Sequence, residues 1–401
     1  MRKICFVTGT RAEYGLLCRL MRLVADDPDL QLQIVATNMH LLPEYGMTYR
    51  EIEKDGFSID CKVPMSKPSD DAHGVCVSMA EEMAGMSKAF STLNPDIVVL
   101  LGDRYEILVA AETALIHCIP VAHIHGGEVT EGAFDDAIRH AVTKMSALHF
   151  TSCVQYRQRV IQLGEQPERV FDVGALGVEN IKRVPLMDKA ELEDSLGFKF
   201  DGDTVVATYH PVTLGGDPAH DIKEFLSALE AVDGLRVIFT MPNSDTGRDV
   251  IADAIADYVD RHPGTSKAFA SLGLRRYLSA LHYAKAAVGN SSSGIIEVPS
   301  FGIPSLNIGD RQKGRLASES VVNCGTGKDD ILKGLRLCLS PEMRRRAKNA
   351  DNPYAKDGTA SLILDRLKHA DLAALRTKHF YDIPVKGAQA EFPVHGFFEK
   401  C

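Results

Sequence analysis

What most constrains this chain is a pattern met twice, in which short, almost unbroken apolar runs alternate with amphipathic stretches of helical length. In the first half the runs are Ile4–Thr8, Leu32–Thr37, Ile97–Leu101, Pro120–Ile124 and Leu148–Thr151, with helical patterns such as Tyr14–Ala25 and Glu106–Ile116 between them. A strand with few polar interruptions is apolar towards both faces, which marks a parallel sheet covered by helices on each side. The pattern restarts at Val205–Thr208, Val237–Thr240, Ala286–Gly289 and Ser305–Ile308, interleaved with helical stretches near Ile222–Ala231, Asp249–Arg261 and Arg275–Lys285. Asn180–Asp203 is charged and weakly apolar, which suits a linker. We therefore expect an α/β chain of two doubly wound, Rossmann-like domains with a cleft between them. The expected division is 1–180, carrying most acid/base residues; 181–360, binding nucleotide; and 361–401, a last helix and aromatic tail packing back on the first domain.

Composition removes several classes of function. A hydrophobic share of 45% with 25% charged residues excludes wholesale disorder. With 45 Lys+Arg against 54 Asp+Glu, the net charge of −9 argues against a nucleic-acid partner. No apolar run approaches the roughly 18–20 residues of a membrane span. The opening MRKICFVTGTRAEYG is too short in its apolar part for a signal peptide. Nine cysteines without a C-x-x-C pair are expected to be reduced and mostly buried thiols. These features suit a cytoplasmic protein that works on neither nucleic acid nor membrane.

Ligands of open α/β sheets sit beyond the carboxyl ends of the strands. Seven strand ends here carry glycine or polar side chains: Thr8–Glu13, Gly102–Tyr105, His123–Glu128, Tyr209–Pro211, Met241–Asn243, Gly289–Gly294 and Gly309–Gly314. Gly9-Thr-Arg11 feeding a helix offers free N–H groups and a cation, a combination that suits a phosphate, although an ordinary strand–helix turn reads the same way. Gly289-Asn-Ser-Ser-Ser-Gly294 runs into a helix expected near Ile295 and could cradle a diphosphate. Glu297, expected in that helix's first turn, could accept from both ribose hydroxyls, and Arg311 adds charge. Both features would also serve as plain helix caps. Asp103 ends a very apolar strand, where an acid is costly unless paired, and Arg104 adjoins it. His123 and His125 share one face at strand period, a metal-like spacing that His140 or Asp135 could complete. No C-x-x-C or H-E-x-x-H accompanies them, and no metal is expected. Asp135 with Arg139, and Asp136 with His140, lie four apart on a helix, which dipole compensation alone would explain. His210 places an imidazole in the cleft from the second domain.

Thr8-Gly-Thr-Arg-Ala-Glu-Tyr-Gly15, Leu101-Gly-Asp-Arg-Tyr-Glu-Ile107, His123-Ile-His-Gly-Gly-Glu128, Ile138-Arg-His140, Gly289–Ser300, Asn307–Arg315 and Phe380-Tyr-Asp-Ile-Pro384, in this order, resemble the hydrolysing UDP-N-acetylglucosamine 2-epimerases, in particular the bacterial branch serving sialic-acid and legionaminic-acid biosynthesis. The resemblance spans almost the whole chain. It implies a GT-B-like fold closing on a nucleotide-sugar, a homodimer or homotetramer, and no cofactor. It implies conversion of UDP-N-acetylglucosamine and water to N-acetylmannosamine and UDP, or the same chemistry on UDP- or GDP-N,N'-diacetylbacillosamine. Carried over, it makes Asp103, Asp135 and His210 catalytic, and Arg11, Arg104, Asn243, Ser291, Ser292, Ser293, Glu297 and Arg311 nucleotide-binding. The wider family has a catalytic glutamate where this chain has His125, so His125 and Glu128 compete for that role. The rivals are a GT-B glycosyltransferase, a hydrolase using His123 and His125 as metal ligands, and a non-catalytic nucleotide-sugar sensor.

Overall fold

All nine apolar runs become strands, because side chains of this kind pack on both faces of a pleated, doubly covered sheet. A computed structural model describes residues 1–66, 71–131, 133–212, 216–242 and 247–384. The first sheet contains β1 (Arg2–Thr8), β2 (Leu30–Thr37), β3 (Cys61–Val63), β4 (Ile97–Leu101), β5 (Val121–Ile124), β6 (Leu148–Thr151) and β7 (Val170–Asp172). Its order is β3-β2-β1-β4-β5-β6-β7, and every pairing is parallel. The second contains β8 (Thr204–Thr208), β9 (Arg236–Thr240), β10 (Ser266–Phe269), β11 (Ala286–Gly289), β12 (Ser305–Ile308) and β13 (Val321–Cys324), ordered β10-β9-β8-β11-β12-β13 and again all parallel. Both are doubly wound sheets, as the alternation predicts.

The two-sided burial is explicit in β1. Ile4 and Phe6 join Leu17, Leu20, Met21 and Val24 of the helix Arg11–Asp26, while Cys5 and Val7 face Met86, Phe90 and Ile107 on the opposite side. Four edge strands, β3, β7, β10 and β13, escape the sequence pattern. They are three or four residues long and include Lys62, Asp172, Lys267 and Asn323, so no apolar run announces them. The expected linker is also structured. The helices Leu176–Arg183 and Lys189–Leu196 lie within or beside it, and Leu192, Leu196, Phe198 and Phe200 are buried in a cluster of the second domain.

The chain returns to the first domain at its end. Ala360, Ile363 and Leu367 of the helix Thr359–His369 are fully buried in the first domain's core. Each large apolar side chain buried in this way contributes roughly 1.5–3 kcal/mol. Glu179 receives that helix at its first turn by accepting from the Ala360 N–H at 2.6 Å, and also pairs with Arg19 at 3.1 Å. Further on, Lys378 donates to the Lys144 and Ser146 carbonyls at 2.6 and 2.7 Å, closing the carboxyl end of the helix Asp135–Met145. The eight described cysteines are free, but only Cys5, Cys153 and Cys338 are buried, fewer than expected, because Cys76 and Cys118 sit on exposed surfaces. Among the described residues no helix is long and apolar enough to cross a membrane.

Register sets the site. Thr8 lies beside Ala36, Leu101 beside Ile124, and in the second sheet Thr208 beside Gly289, which neighbours Asn307. The loops beginning at Gly9, Gly102 and His125 therefore emerge along one sheet edge. Those beginning at Tyr209, Asn290 and Gly309 emerge along the other.

Candidate active site

Gly102, with φ +84°, turns the chain sharply after β4 and delivers Asp103 to the sheet edge. Asp103 is not paired with its neighbour Arg104. Its Oδ2 pairs with Arg139, a guanidinium only 1% exposed, while the Arg104 Nε donates to Glu106 Oε1 at 2.7 Å. Arg139 also donates to the Glu128 carbonyl (2.9 Å), Thr130 Oγ1 (2.9 Å) and Asp136 Oδ1 (3.0 Å). Thus Arg139 pairs with Asp136, three residues back, rather than with Asp135, and His140 approaches the other Asp136 oxygen at 3.5 Å. Asp135 stands in the first turn of the helix Asp135–Met145, where its charge complements the helix dipole.

The two histidines do not share a face. β5 ends at Ile124, and His125 takes φ +69°, which breaks the strand's alternation. His123 is fully buried, with Nε2 2.7 Å from the Gly102 carbonyl and Nδ1 3.2 Å from Thr143 Oγ1. Burial lowers its pKa to about 3, so it stays neutral and braces the turn before Asp103. With both ring nitrogens occupied, His123 is not offered as a metal ligand. No group of three or more His, Cys, Asp or Glu side chains among the described residues is arranged to hold a metal ion.

His125 and Glu128 prove to be partners. The His125 Nδ1 lies 2.8 Å from Glu128 Oε1, and Ser152 donates its hydroxyl to that same oxygen at 2.7 Å. Glu128 Oε2 pairs with Arg315, which comes from the second domain. The three side chains are 8%, 2% and 6% exposed, so their charges interact with little screening. Burial alone would raise the Glu128 carboxyl, but Arg315 and then His125 hold it well below the usual carboxylate range. The other His125 nitrogen, Nε2, is buried and has no hydrogen-bond partner among the described residues.

In the second domain Asn290 ties two strand ends together. Its Oδ1 accepts from the His210 N–H at 2.7 Å, and its Nδ2 donates to the His210 carbonyl at 2.8 Å. Arg311 and Gln312 each donate to the Asn290 carbonyl at 3.1 Å, bringing Arg311 over the serine loop. Gly289, with φ +138°, is required there, since a Cβ would lie 1.9 Å from the Thr208 carbonyl oxygen. The helix expected from Ile295 is a single turn, Ser293–Ile296, followed by a 3₁₀ turn, Val298–Phe301, where Pro299 prevents a longer helix. Glu297 therefore closes the turn instead of opening it. Its carboxylate lies against Gly177, and burial, countered by the Ser293 hydroxyl, raises its pKa. Ser292 makes no side-chain cap, Ser291 Oγ accepts from the Ser293 N–H at 3.4 Å, and Ser293 Oγ meets the Tyr277 hydroxyl at 2.6 Å.

The first loop differs from expectation in one respect. The Gly9 N–H donates to Glu13 Oε2 at 2.9 Å and so is not offered to a ligand. Burial raises the Glu13 pKa to about 8. Arg11 Nε pairs with Glu51 at 2.5 Å, and its guanidinium lies against Gly273, in the second domain. Asn243 lies outside the described residues. Arg139, Arg315 and Asn290 each lie within a quoted motif, yet none carries an expected site role, Arg139 entering only as the i+4 neighbour of Asp135. A cation beside the apolar face Ile138, Val142 and Met145 was the signal available for Arg139.

Two all-parallel, doubly wound sheets with polar loops meeting at their carboxyl edges define a GT-B-like fold. A family model described as UDP-N-acetylglucosamine 2-epimerase matches residues 22–368, and the chain belongs to that family. A Campylobacter jejuni protein named GDP/UDP-N,N'-diacetylbacillosamine 2-epimerase (hydrolyzing) is 42% identical over 384 residues, covering 95% of this chain and 99% of the relative. An Escherichia coli protein named polysialic acid biosynthesis protein P7 is 38% identical over 390 residues, covering 96% and 98%. In fold, the chain is similar to S. aureus MnaA solved with UDP, with TM-score 0.78, 16% identity and coverage of 95% and 100%. It is likewise similar to the Neisseria meningitidis UDP-GlcNAc 2-epimerase bound to UDP-GlcNAc, with TM-score 0.75, 17% identity and coverage of 91% and 99%.

Proposed function

We propose that this chain is a hydrolysing 2-epimerase of a nucleotide-linked 2-acetamido sugar, with UDP- or GDP-N,N'-diacetylbacillosamine its best-supported substrate. The observation that carries the sugar assignment is the 42% identity, over nearly the full length of both chains, to a relative named for that reaction. UDP-N-acetylglucosamine, the reading taken first from the sequence motifs, is the second reading. A Neisseria meningitidis relative named for that sugar is 30% identical over 344 residues. Either product, a free 2-epimerised acetamido sugar, would feed biosynthesis of a sialic-acid-type sugar. The division at 180 and 360 is part of the same proposal.

A nucleotide-linked sugar has no carbonyl beside C2, so simple enolisation cannot remove its C2 proton. Expelling the nucleotide diphosphate from C1 while a base takes that proton gives a 2-acetamidoglycal. Water then adds at C1, and a proton returns to C2 on the opposite face. We assign the acid/base work around C1 and C2 to Asp103, His125, Asp135 and His210, with Glu128 orienting His125. Arg11, Arg104, Asn243, the hydroxyls of Ser291, Ser292 and Ser293, and Arg311 are assigned to the nucleotide and its diphosphate, and Glu297 to the ribose. Incubation with a panel of UDP- and GDP-sugars, followed by mass spectrometry of the released sugar, tests the assignment. Release of the 2-epimer without an acceptor supports it, and turnover only with an added acceptor would make the chain a glycosyltransferase.

The ribose assignment makes a separate prediction. A hydrogen bond to a carboxylate is worth about 1.5–3 kcal/mol, so Glu297→Gln should raise the Kd for UDP by about tenfold or more. Calorimetry reads this directly, and unchanged affinity would leave Glu297 only the role of closing its turn against Gly177.

A further inference from the structure

The first domain holds His125 and Glu128, but the group that neutralises Glu128 comes from the second. Glu128 is 2% exposed and divides its two oxygens, Oε1 to His125 and Ser152, Oε2 to Arg315. The segment carrying Arg315 is seated firmly on the first domain. The Leu316 N–H donates to the Tyr156 hydroxyl at 2.9 Å, Tyr354 donates to the Leu316 carbonyl at 2.6 Å, and the two tyrosine hydroxyls lie 2.9 Å apart. The Glu131 N–H donates to the Lys313 carbonyl at 3.3 Å, and a Cβ on Gly314 would lie 2.5 Å from Val129 Cγ1. These contacts hold the segment that carries Arg315 in place beside Glu128.

We propose that Arg315 is a positioning residue: by anchoring Glu128 across the domain interface, it fixes the His125 ring with its Nδ1–H donated to Glu128 and leaves Nε2 as the nitrogen that exchanges a proton with substrate. This inference rests on the reaction proposed above only for the identity of the proton exchanged. The geometry of the chain of contacts stands independently. Nε2 is buried and has no hydrogen-bond partner among the described residues, which leaves it available to a substrate. The charged and titratable groups around the pair come from both domains, namely Asp103, Arg139, Cys153, Tyr156, Glu297, Arg315 and Tyr354. Of these, Arg315 touches the Glu128 carboxylate directly, opposite His125, and Arg139 touches its backbone carbonyl. Any opening that withdraws residues 313–316 would remove the anchor of Glu128 Oε2 and leave its carboxylate held at Oε1 alone by Ser152 and His125, so the support of the base is complete only when the domains are together.

The test uses ¹⁵N-histidine NMR on the full chain, with the His125 resonances assigned by their loss in His125→Ala. In the wild type, His125 should be a single species protonated at Nδ1. Arg315→Gln should convert it to a mixture of tautomers, lower kcat about 100-fold, and leave the Kd for UDP within a few-fold. Arg315→Lys, which keeps the charge and guards against a variant that fails to fold, should restore the single tautomer and part of kcat. An unchanged tautomer in Arg315→Gln, or a loss of UDP affinity with kcat unchanged, would overturn the proposal and make Arg315 a nucleotide ligand or a structural pair. The NMR readout needs no turnover. A tautomer lost in Arg315→Gln therefore supports the positioning role even if the sugar panel returns no product, in which case the reaction assignment alone falls.

Discussion

Replacing Asp103 with asparagine is expected to lower kcat by about 10²–10⁴, the range for losing a general acid or base, while UDP affinity changes little. The substitution is nearly isosteric, and the structure shows why it should not unfold the site. Arg139 would lose one charged partner but keep Asp136 Oδ1, Thr130 Oγ1 and the Glu128 carbonyl, all within 3.0 Å. A fall in kcat with an unchanged melting temperature would therefore report chemistry. Near wild-type turnover would remove Asp103 from the reacting set and leave it as the counter-charge of Arg139.

A comparable loss, about 10²–10⁴ in kcat, is expected for His125→Ala, with a smaller loss for Glu128→Gln. The two variants should part company in stability. Removing the imidazole takes a ring from Glu128, which retains Arg315 and Ser152. Removing the Glu128 charge leaves Arg315 buried without its counter-ion, and breaking a buried pair in this way costs about 3–5 kcal/mol. We therefore expect Glu128→Gln to melt well below His125→Ala while turning over faster at temperatures where both are folded. The opposite ranking in kcat would make Glu128 the reacting group and His125 its support.

The sequence disclosed the architecture where burial is two-sided and hid it where burial is one-sided. β1 and β4 read directly, because Ile4–Val7 and Ile97–Leu100 are buried at every position. The edge strands Cys61–Val63 and Val321–Cys324 touch solvent and carry polar residues, so nothing in three or four letters separates them from loops. The site divides in the same way. Which residues crowd the strand ends was legible, since glycine or polar side chains follow seven of the nine apolar runs directly. Which of them touch was not. Asp103 chose Arg139, 36 residues away, over adjacent Arg104, and a positive φ at His125 turned two histidines at strand spacing into residues with separate tasks. Arg315 meets Glu128 across 187 residues of chain, a pairing that only the docking of one sheet's edge on the other creates.

Turnover in D₂O containing H₂¹⁸O tests the central claim most directly, because elimination followed by rehydration leaves a distinct isotopic record. A base that removes the C2 proton, and solvent that returns one to the other face, must place deuterium at C2 of the released sugar. Cleavage between C1 and the bridging oxygen must place ¹⁸O at C1 and none in the nucleotide diphosphate. The account predicts a 2-epimerised sugar carrying both labels, from UDP- or GDP-N,N'-diacetylbacillosamine or from UDP-N-acetylglucosamine, without an acceptor. A released sugar that keeps protium and its original configuration at C2 would contradict it and leave the chain a simple nucleotide-sugar hydrolase.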